Sequence, residues 1–373
     1  MPSAFCLLEH WNVELSAPPW LHPRTAYVHV PFCAHHCGYC DFAVAAGRDH
    51  LIDLYLDAIG AELAALGAPR PVESLFVGGG TPTHLSADQL GRLLCSLNRW
   101  LPRVAPAPEF SVEANPDSLT EEKAAVLAAG GVNRVSIGVQ SFHAGSLEAL
   151  ERRHSPDHIG KAVEGVRRSI GNVSFDLIFG APGSTLATWK DDLETALGFG
   201  PQHVSTYGLT YEKGTPLWKR RHRGQVEAVA EEVELAMYEH AMDRLAAAGF
   251  EHYEISNFAR PGFRCRHNER YWANEAYFGF GVGAARYVNG ARELNVRDVQ
   301  LYIRKALGGE PVTFQREELP PRERAFETAA TQLRRADGID RARFREQTGF
   351  DLDALAPKAL RLLHEAGVIA DDG

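Results

Sequence analysis

The chain has 373 residues, of which 45% are hydrophobic and 23% charged, and such a chain can bury a core without disulfide bonds. Its 39 Lys and Arg against 48 Asp and Glu give a net charge of −9, which argues against general nucleic-acid binding. The sequence contains no run of about 18 apolar residues, so it predicts no membrane span. The sequence also shows no secretory signal, so we expect a cytoplasmic protein.

Residues 1–24 lack clear periodicity, and we predict an irregular N-terminal extension there. Over residues 25–310, short β-rich segments alternate with helical ones. The strand candidates are Ala26–Val30, Ser74–Gly78, Glu109–Ala114, Arg134–Val139, Val173–Gly180 and His203–Leu209. Segments 51–67, 86–101 and 231–250 have helical apolar spacing, with Ser86 as the predicted N-cap of the second.

Repeated strand–helix alternation predicts an α/β fold with parallel strands and right-handed crossovers. Polar residues recur at the carboxyl ends of the strands, namely Glu113, Gln140, Asp176 and Tyr207. A doubly wound sheet would concentrate its ligand at one switch point, whereas many contributing strand ends are typical of a barrel. We therefore predict a partial (β/α)6 TIM-type barrel, followed over residues 311–373 by a small C-terminal helical domain.

Three of the six cysteines, Cys33, Cys37 and Cys40, lie within eight residues just after the first strand. This spacing predicts a metal-binding or catalytic loop rather than disulfides. A structural zinc site needs four ligands, and the fourth would be His35, His36 or distant Cys265. A 4Fe–4S cluster held by three thiolates is the alternative, and it leaves one iron open to another ligand.

The C-x-x-x-C-x-x-C pattern, with Tyr39 before the last cysteine, resembles the radical S-adenosylmethionine family. The resemblance implies one 4Fe–4S cluster on Cys33, Cys37 and Cys40, with S-adenosylmethionine chelating the fourth iron. It also implies an electron donor such as flavodoxin or ferredoxin. In the family, the reduced cluster cleaves S-adenosylmethionine to methionine and a 5′-deoxyadenosyl radical; the pattern leaves open whether this chain cleaves the cofactor or only binds it.

The glycine motif "GGGTPT" at Gly78–Thr83 resembles the family's site for the amino group of S-adenosylmethionine. Carboxylates suit ribose hydroxyls and the amino group, and arginine suits a carboxylate. Considered alone, each residue named in the next sentence would be an ordinary turn, cap or surface residue. Together, these residues resemble a cofactor site. The cofactor-binding residues that the resemblance implies are Tyr27, Tyr39, Gly79, Gly80, Thr81, Glu113, Gln140, Arg152 and Asp176.

Within the family, "YVHVPFC" and "CGYCDF" resemble the branch of oxygen-independent coproporphyrinogen III oxidase and its relatives. The oxidases have a fourth cysteine two residues after the third, where this chain has Phe42. The segment "CRHNERYW", Cys265–Trp272, instead resembles the heme-chaperone branch, which implies heme binding, membrane respiratory proteins as recipients and a possible peripheral membrane location. The alternatives are the oxidase, which decarboxylates coproporphyrinogen III to protoporphyrinogen IX, and a zinc-stabilised binding module.

Imidazole and thiolate both serve as axial ligands of heme, so His267 and Cys265 are candidate heme ligands. The alternative is that His267 is a buried residue of a packed turn. Two other features have structural interpretations. Cys6 and Cys95 are predicted to be structural, with Cys95 on the apolar face of the second helix, and the basic run Trp218–Gly224 is predicted to be a solvated surface loop.

Overall fold

A computed structural model describes residues 18–104 and 106–371. Six parallel strands follow the chain and lie side by side in sequence order. They are β1 (Thr25–Val30), β2 (Ser74–Gly79), β3 (Glu109–Ala114), β4 (Arg134–Gln140), β5 (Asn172–Phe179) and β6 (His203–Gly208). The helices between them are α1 (Ile52–Ala64), α2 (Ala87–Trp100), α3 (Glu121–Ala129), α4 (Ala144–Ala149), α5 (Pro156–Arg167) and α6 (Leu186–Gly198). The predicted strand–helix alternation is confirmed, with strand bounds that differ by at most one residue.

Alternation along each strand separates the two faces of the sheet. Phe110 and Val112 of β3 face the helices and belong to the main hydrophobic core, whereas Glu113 faces a cavity on the other side. Strand β4 repeats the pattern with Val135 and Ile137 in the core. The inner face of this partial barrel is therefore polar, and polar side chains near its rim can contact a ligand.

Beyond β6 the chain forms α7 (Pro216–His222) and α8 (Glu231–Ala247), and then further strands join the sheet. These are β7 (Glu251–Glu254) and β8 (Asn257–Ala259), an antiparallel pair beside β6, and, after α9 (Arg266–Trp272), β9 (Phe278–Phe280), which runs parallel to β1. Within the described residues the sheet has nine strands in the order β7-β8-β6-β5-β4-β3-β2-β1-β9. No pairing that closes the sheet is found within the described residues, which agrees with the predicted partial barrel.

The remaining elements lie after β9. Three antiparallel strands, β10 (Ala285–Val288), β11 (Ala291–Asn295) and β12 (Thr313–Glu318), form a second sheet, with α10 (Val299–Leu307) inserted before β12. Four helices follow: α11 (Pro321–Gln332), α12 (Arg341–Thr348), α13 (Leu352–Leu355) and α14 (Pro357–Glu365). Because β12 pairs with β11, a domain boundary at residue 310 falls between two strands of one sheet. No helix in the described part of the chain is long and apolar enough to cross a membrane.

Three local predictions have clear outcomes. Ser86 caps α2 as expected, since its side chain accepts a hydrogen bond from the backbone N–H of Gln89 at 3.2 Å. The basic run Trp218–Gly224 is mostly exposed, as predicted, but the prediction of a loop is wrong, because α7 covers most of the run. Cys95 is exposed rather than on the apolar face of α2, because the buried leucines lie at other helical positions. Cys6 lies outside the described residues.

Candidate cofactor site

The cysteine loop leaves β1 and is held in place by the glycine motif after β2. Gly80 donates its backbone N–H to the carbonyl of Val30 at 2.8 Å, and Thr81 donates to that of Phe32 at 2.9 Å. These two hydrogen bonds extend the pairing of β1 with β2 beyond the strands. The backbone approach that they create brings the motif directly beside Cys33.

Steric contacts explain why two positions of this motif are glycine. Gly79 has a φ of +108°, and a side chain there would overlap the ring of His29. A Cβ on Gly80 would lie 2.7 Å from the backbone of Pro31. Both positions therefore require glycine if the cysteine loop is to lie where it does.

The carboxyl ends of the strands surround a cavity of about 530 Å³. Eleven of the fourteen residues predicted as cluster, cofactor or heme ligands line it, and the other three, Tyr27, Cys265 and His267, do not. The eleven are Cys33, Cys37, Tyr39, Cys40, Gly79, Gly80, Thr81, Glu113, Gln140, Arg152 and Asp176. The structure thus brings the cysteine loop and the predicted cofactor residues together at one end of the barrel.

Two carboxyl groups that interact with each other line this cavity. Glu113 accepts a 2.9 Å hydrogen bond from the backbone N–H of Gly79, and Asp176 accepts bonds of 3.0 and 3.1 Å from the hydroxyl of Ser136. Burial, followed by repulsion from Asp176, raises the pKa of Glu113 to about 8. Burial also raises the pKa of Asp176. A cationic group placed between them would relieve both effects.

Arg152 connects the carboxylate side of the cavity with the cysteine loop. Its Nη2 donates to Asn115 Oδ1 at 2.8 Å and to the carbonyl of Gly138 at 3.0 Å, and its Nη1 donates to Cys37 Sγ at 3.6 Å. Asn115 Nδ2 in turn donates to Thr81 Oγ1 at 3.0 Å, and that oxygen lies 3.2 Å from Cys33 Sγ. A continuous polar network therefore joins two of the three thiols.

Sequence reasoning missed Asn115 as a site residue. It directly follows the last residue of β3, the strand that carries Glu113. This position was the available signal in the sequence. Ser136 and Tyr207 also line the cavity and were not among the predicted ligands. From the sequence, Tyr207 is identifiable only as a polar residue at a strand end.

Gln140 ends β4 in a left-handed backbone conformation, with a φ of +63°. Such a φ is uncommon for a residue other than glycine and is retained where the surroundings require it. The pairing of β4 with β5 shifts register just before this residue. The irregularity places the Gln140 side chain on the cavity wall.

Tyr27 lies on the inner face of β1 without reaching the cavity. Its hydroxyl group is 2.9 Å from Nδ1 of His29, and its ring stacks near Phe76 at a centroid distance of 6.3 Å. Burial, with a further contribution from Glu113, raises its pKa well above the ordinary tyrosine value. Tyr27 is therefore close enough to Glu113 to interact with it electrostatically but is not among the residues that line the cavity.

His267 is buried in α9, with 2% of its surface exposed. Its ring lies 5.0 Å from that of Phe76 and 4.7 Å from that of Tyr271, and neither ring nitrogen has a hydrogen-bond partner among the described residues. Burial lowers its pKa to about 3, so the imidazole is neutral. The ring is therefore chemically able to ligate a metal but is covered by aromatic neighbours.

Cys265 lies at the opposite end of the barrel from the cysteine loop. Its thiol donates to Glu109 at 3.5 Å, and Glu109 begins β3, whereas the loop follows the end of β1. Parallel strands of this length separate the two ends by roughly 17 Å. Cys265 therefore does not serve as a fourth ligand for the cysteine loop in this fold.

The two histidines within the loop were the other candidates for a fourth zinc ligand. His36 Nε2 donates to the carbonyl of Cys40 at 3.0 Å, while His35 lines the cavity rim. Across residues 18–104 and 106–371, no group of three or more His, Cys, Asp or Glu side chains is arranged to hold a metal ion. Burial raises the pKa of Cys33 to about 12 and of Cys40 to about 11, so metal binding must displace their protons.

Comparisons with known proteins show the family to which the chain belongs. The radical SAM superfamily matches residues 27–196, and the HemN C-terminal domain matches residues 319–373. The chain is 40% identical over 352 residues to the heme chaperone HemW of Bacillus subtilis strain 168, covering 93% of this chain and 92% of that protein. It is 32% identical over 345 residues to the heme chaperone HemW of Escherichia coli K12, covering 91% and 89%.

Among solved structures, the coproporphyrinogen III oxidase HemN of Escherichia coli superposes with a TM-score of 0.81 at 23% sequence identity. The superposition covers 95% of this chain and 85% of that one. At this identity the similarity shows the fold alone. The radical SAM family implies a 4Fe–4S cluster and S-adenosylmethionine as cofactors.

Proposed function

Because this chain belongs to the HemW family of radical S-adenosylmethionine proteins, we propose that it is a heme chaperone, which binds heme and transfers it to respiratory heme proteins. The recipients would be membrane proteins, reached by a cytoplasmic protein that associates with the membrane surface. The proposal rests on the family and on the cavity that joins the cysteine loop to the polar strand ends.

Cys33, Cys37 and Cys40 would hold the 4Fe–4S cluster, because they are three thiols of one short loop at the wall of the cavity. Since the described thiols are not arranged around a metal ion, the loop would have to draw them together when the cluster binds. When bound, the cluster would supply one-electron chemistry and an open iron for S-adenosylmethionine. Glu113 and Asp176 would bind the cationic and hydroxyl groups of that cofactor, and Arg152 would bind its carboxylate. Gly79 and Gly80 would allow the ligand to approach the backbone closely.

The observation that favours the chaperone over the oxidase lies in the cysteine loop itself. Where the oxidase branch has a fourth cysteine, this chain has Phe42, whose surface is 61% exposed. The preceding residue, Asp41, accepts a hydrogen bond at its carbonyl from Arg297. This stretch therefore offers no thiol near the cavity beyond the three cysteines of the motif.

His267 is the better of the two proposed heme ligands. Its neutral ring has two nitrogens without partners, whereas the thiol of Cys265 already donates to Glu109. Because His267 is 2% exposed, ligation would require α9 to move away from Phe76. Cys265 would need to lose a proton as well, and burial raises its pKa.

The test combines a heme titration with a decarboxylation assay on anaerobically reconstituted protein. We expect saturable, stoichiometric heme binding followed by visible absorbance, weaker binding in His267→Ala, and unchanged binding in His364→Ala, an exposed histidine of α14. With reductant, S-adenosylmethionine and coproporphyrinogen III, we expect no vinyl product. Stoichiometric protoporphyrinogen IX would assign the oxidase activity instead.

A further inference from the structure

The α7 region carries a cluster of positively charged residues, although the protein as a whole is acidic. Residues 213–224 contain five Lys and Arg and no Asp or Glu, although the net charge of the chain is −9. Lys219, Arg221 and Arg223 are exposed. This basic surface, defined by Lys213, Lys219, Arg221 and Arg223, has no role in the cofactor site described above.

The helix that carries this surface packs directly on the cysteine loop. The backbone N–H of Leu217 donates to the carbonyl of Gly38 at 2.8 Å, and Gly38 lies between Cys37 and Cys40. The Leu217 side chain belongs to a small buried cluster against which Tyr39 packs. One hydrogen bond therefore separates the backbone of α7 from the loop that carries the thiols.

A second contact holds α7 close to Gly38. Arg220 pairs with Glu151 at 3.2 Å, and a Cβ on Gly38 would lie 2.8 Å from that carboxylate. Arg220 thus has a structural partner and is excluded from the basic surface. Its ion pair keeps α7 against the loop.

The other charges of α7 remain available to a partner. Lys219 and Arg223 form no ion pair with the described residues, and Arg221 stacks over the ring of Tyr211 at 4.5 Å, near Glu234. A positively charged surface of this kind is complementary to a negatively charged partner protein.

We propose that the basic surface of α7 docks an acidic one-electron carrier protein that reduces the cluster. This inference rests on the proposed cofactor role of the cysteine loop. The carrier would lose one electron and the cluster would gain it, with no other bond formed or broken. Electron transfer weakens steeply with distance, so a docking surface that contacts the ligand loop itself shortens the path. Opposite charges would also steer the encounter.

The experiment uses the full chain with its cluster reconstituted and flavodoxin hydroquinone as the probe. Stopped-flow absorbance follows the blue semiquinone as the flavodoxin is oxidised, over a range of ionic strengths. The variant is Lys219→Glu with Arg223→Glu. The matched control is Arg345→Glu with Lys358→Glu, two exposed basic residues of α12 and α14. Photoreduced 5-deazariboflavin, a small uncharged reductant, reports whether each cluster is intact.

At low ionic strength we expect the α7 variant to react about tenfold or more slowly than wild type, the control to match wild type, and the difference to shrink as salt is added. Reduction by deazaflavin should be equal in all three. Equal flavodoxin rate constants and salt dependences in the α7 variant and wild type would overturn the docking proposal.

Two further outcomes distinguish a failure of the proposed function from a failure of the docking proposal. If wild type binds no cluster on reconstitution, the proposed function fails before the docking surface is tested. If the α7 variant loses sedimentation with phosphatidylserine vesicles while its flavodoxin kinetics match those of wild type, the basic surface is a membrane contact and the carrier proposal is wrong.

Discussion

The Arg152 guanidinium lies 3.6 Å from the sulfur of Cys37, and it is held there by Asn115 and by the carbonyl of Gly138. A cation that donates to a cluster sulfur stabilises the reduced cluster more than the oxidised one, because the reduced form is more negative. Arg152 is therefore placed to affect the reduction potential as well as cofactor binding.

We expect Arg152→Gln to shift the cluster potential negatively by roughly 60 mV, which corresponds to about 1.4 kcal/mol for one electron. Arg153→Gln is the matched control, because Arg153 is adjacent in sequence but exposed. Potentiometric titration followed by electron paramagnetic resonance measures both variants without any turnover. Equal potentials for the two variants would show that the contact with Cys37 is structural only.

Glu113 predicts a pH dependence of cofactor affinity. Its pKa is raised to about 8 by burial and by Asp176, so at pH 7 the ligand-free carboxyl is mostly protonated. S-adenosylmethionine carries a permanent sulfonium charge, and this charge favours the ionised carboxylate. We expect affinity to rise from pH 6 to pH 9 in wild type, with proton release on binding near pH 7. Calorimetry in buffers of different ionisation enthalpy measures both quantities.

The Glu113→Gln variant should bind S-adenosylmethionine more weakly and lose this pH dependence. It should also make the ligand-free protein more stable at pH 8. A folded-state pKa above the unfolded value means that the native state binds more protons between pH 4.5 and about 8, so wild-type stability falls as pH rises through that range. A flat wild-type affinity profile together with unchanged thermal stability in the variant would contradict this assignment.

The three cysteines of the loop should act as a set. Cys33→Ser, Cys37→Ser and Cys40→Ser should each lose most of the cluster absorbance and iron, since each thiolate binds a different iron of the cluster. Cys95→Ser should keep both, because Cys95 is exposed on α2, away from the cavity lining. Iron analysis after anaerobic reconstitution makes the comparison. Full iron content in all three loop variants would exclude the proposed ligands.

Gly80→Ala tests the contact between the glycine motif and the cysteine loop. The added methyl group would lie 2.7 Å from the backbone of Pro31, so the loop must shift, and we expect lower thermal stability and poor cluster incorporation. Gly91→Ala in α2 is the control, since a Cβ there meets nothing within 4 Å and should stabilise the helix by roughly 0.5–1 kcal/mol. Normal cluster loading in Gly80→Ala would mean that this close approach is not required.

Local sequence patterns determined the framework and much of the cavity lining. The six strands were predictable because alternation of apolar and polar residues is a property of neighbouring positions. The cysteines fall within eight residues, so any fold would bring them together. Glu113, Gln140 and Asp176 could be assigned to one cavity because the carboxyl ends of parallel strands share one edge of the sheet.

Relationships between distant residues required the tertiary structure. Asn115 meets Arg152 from 37 positions away, and the packing of α7 on Gly38 joins segments separated by most of the barrel. Neither contact leaves a periodic signal, because each depends on how loops from different strands pack. Burial of His267 beneath Phe76 is of the same kind: the sequence determined its chemistry, and the position of α9 against β2 decided that the ring is covered.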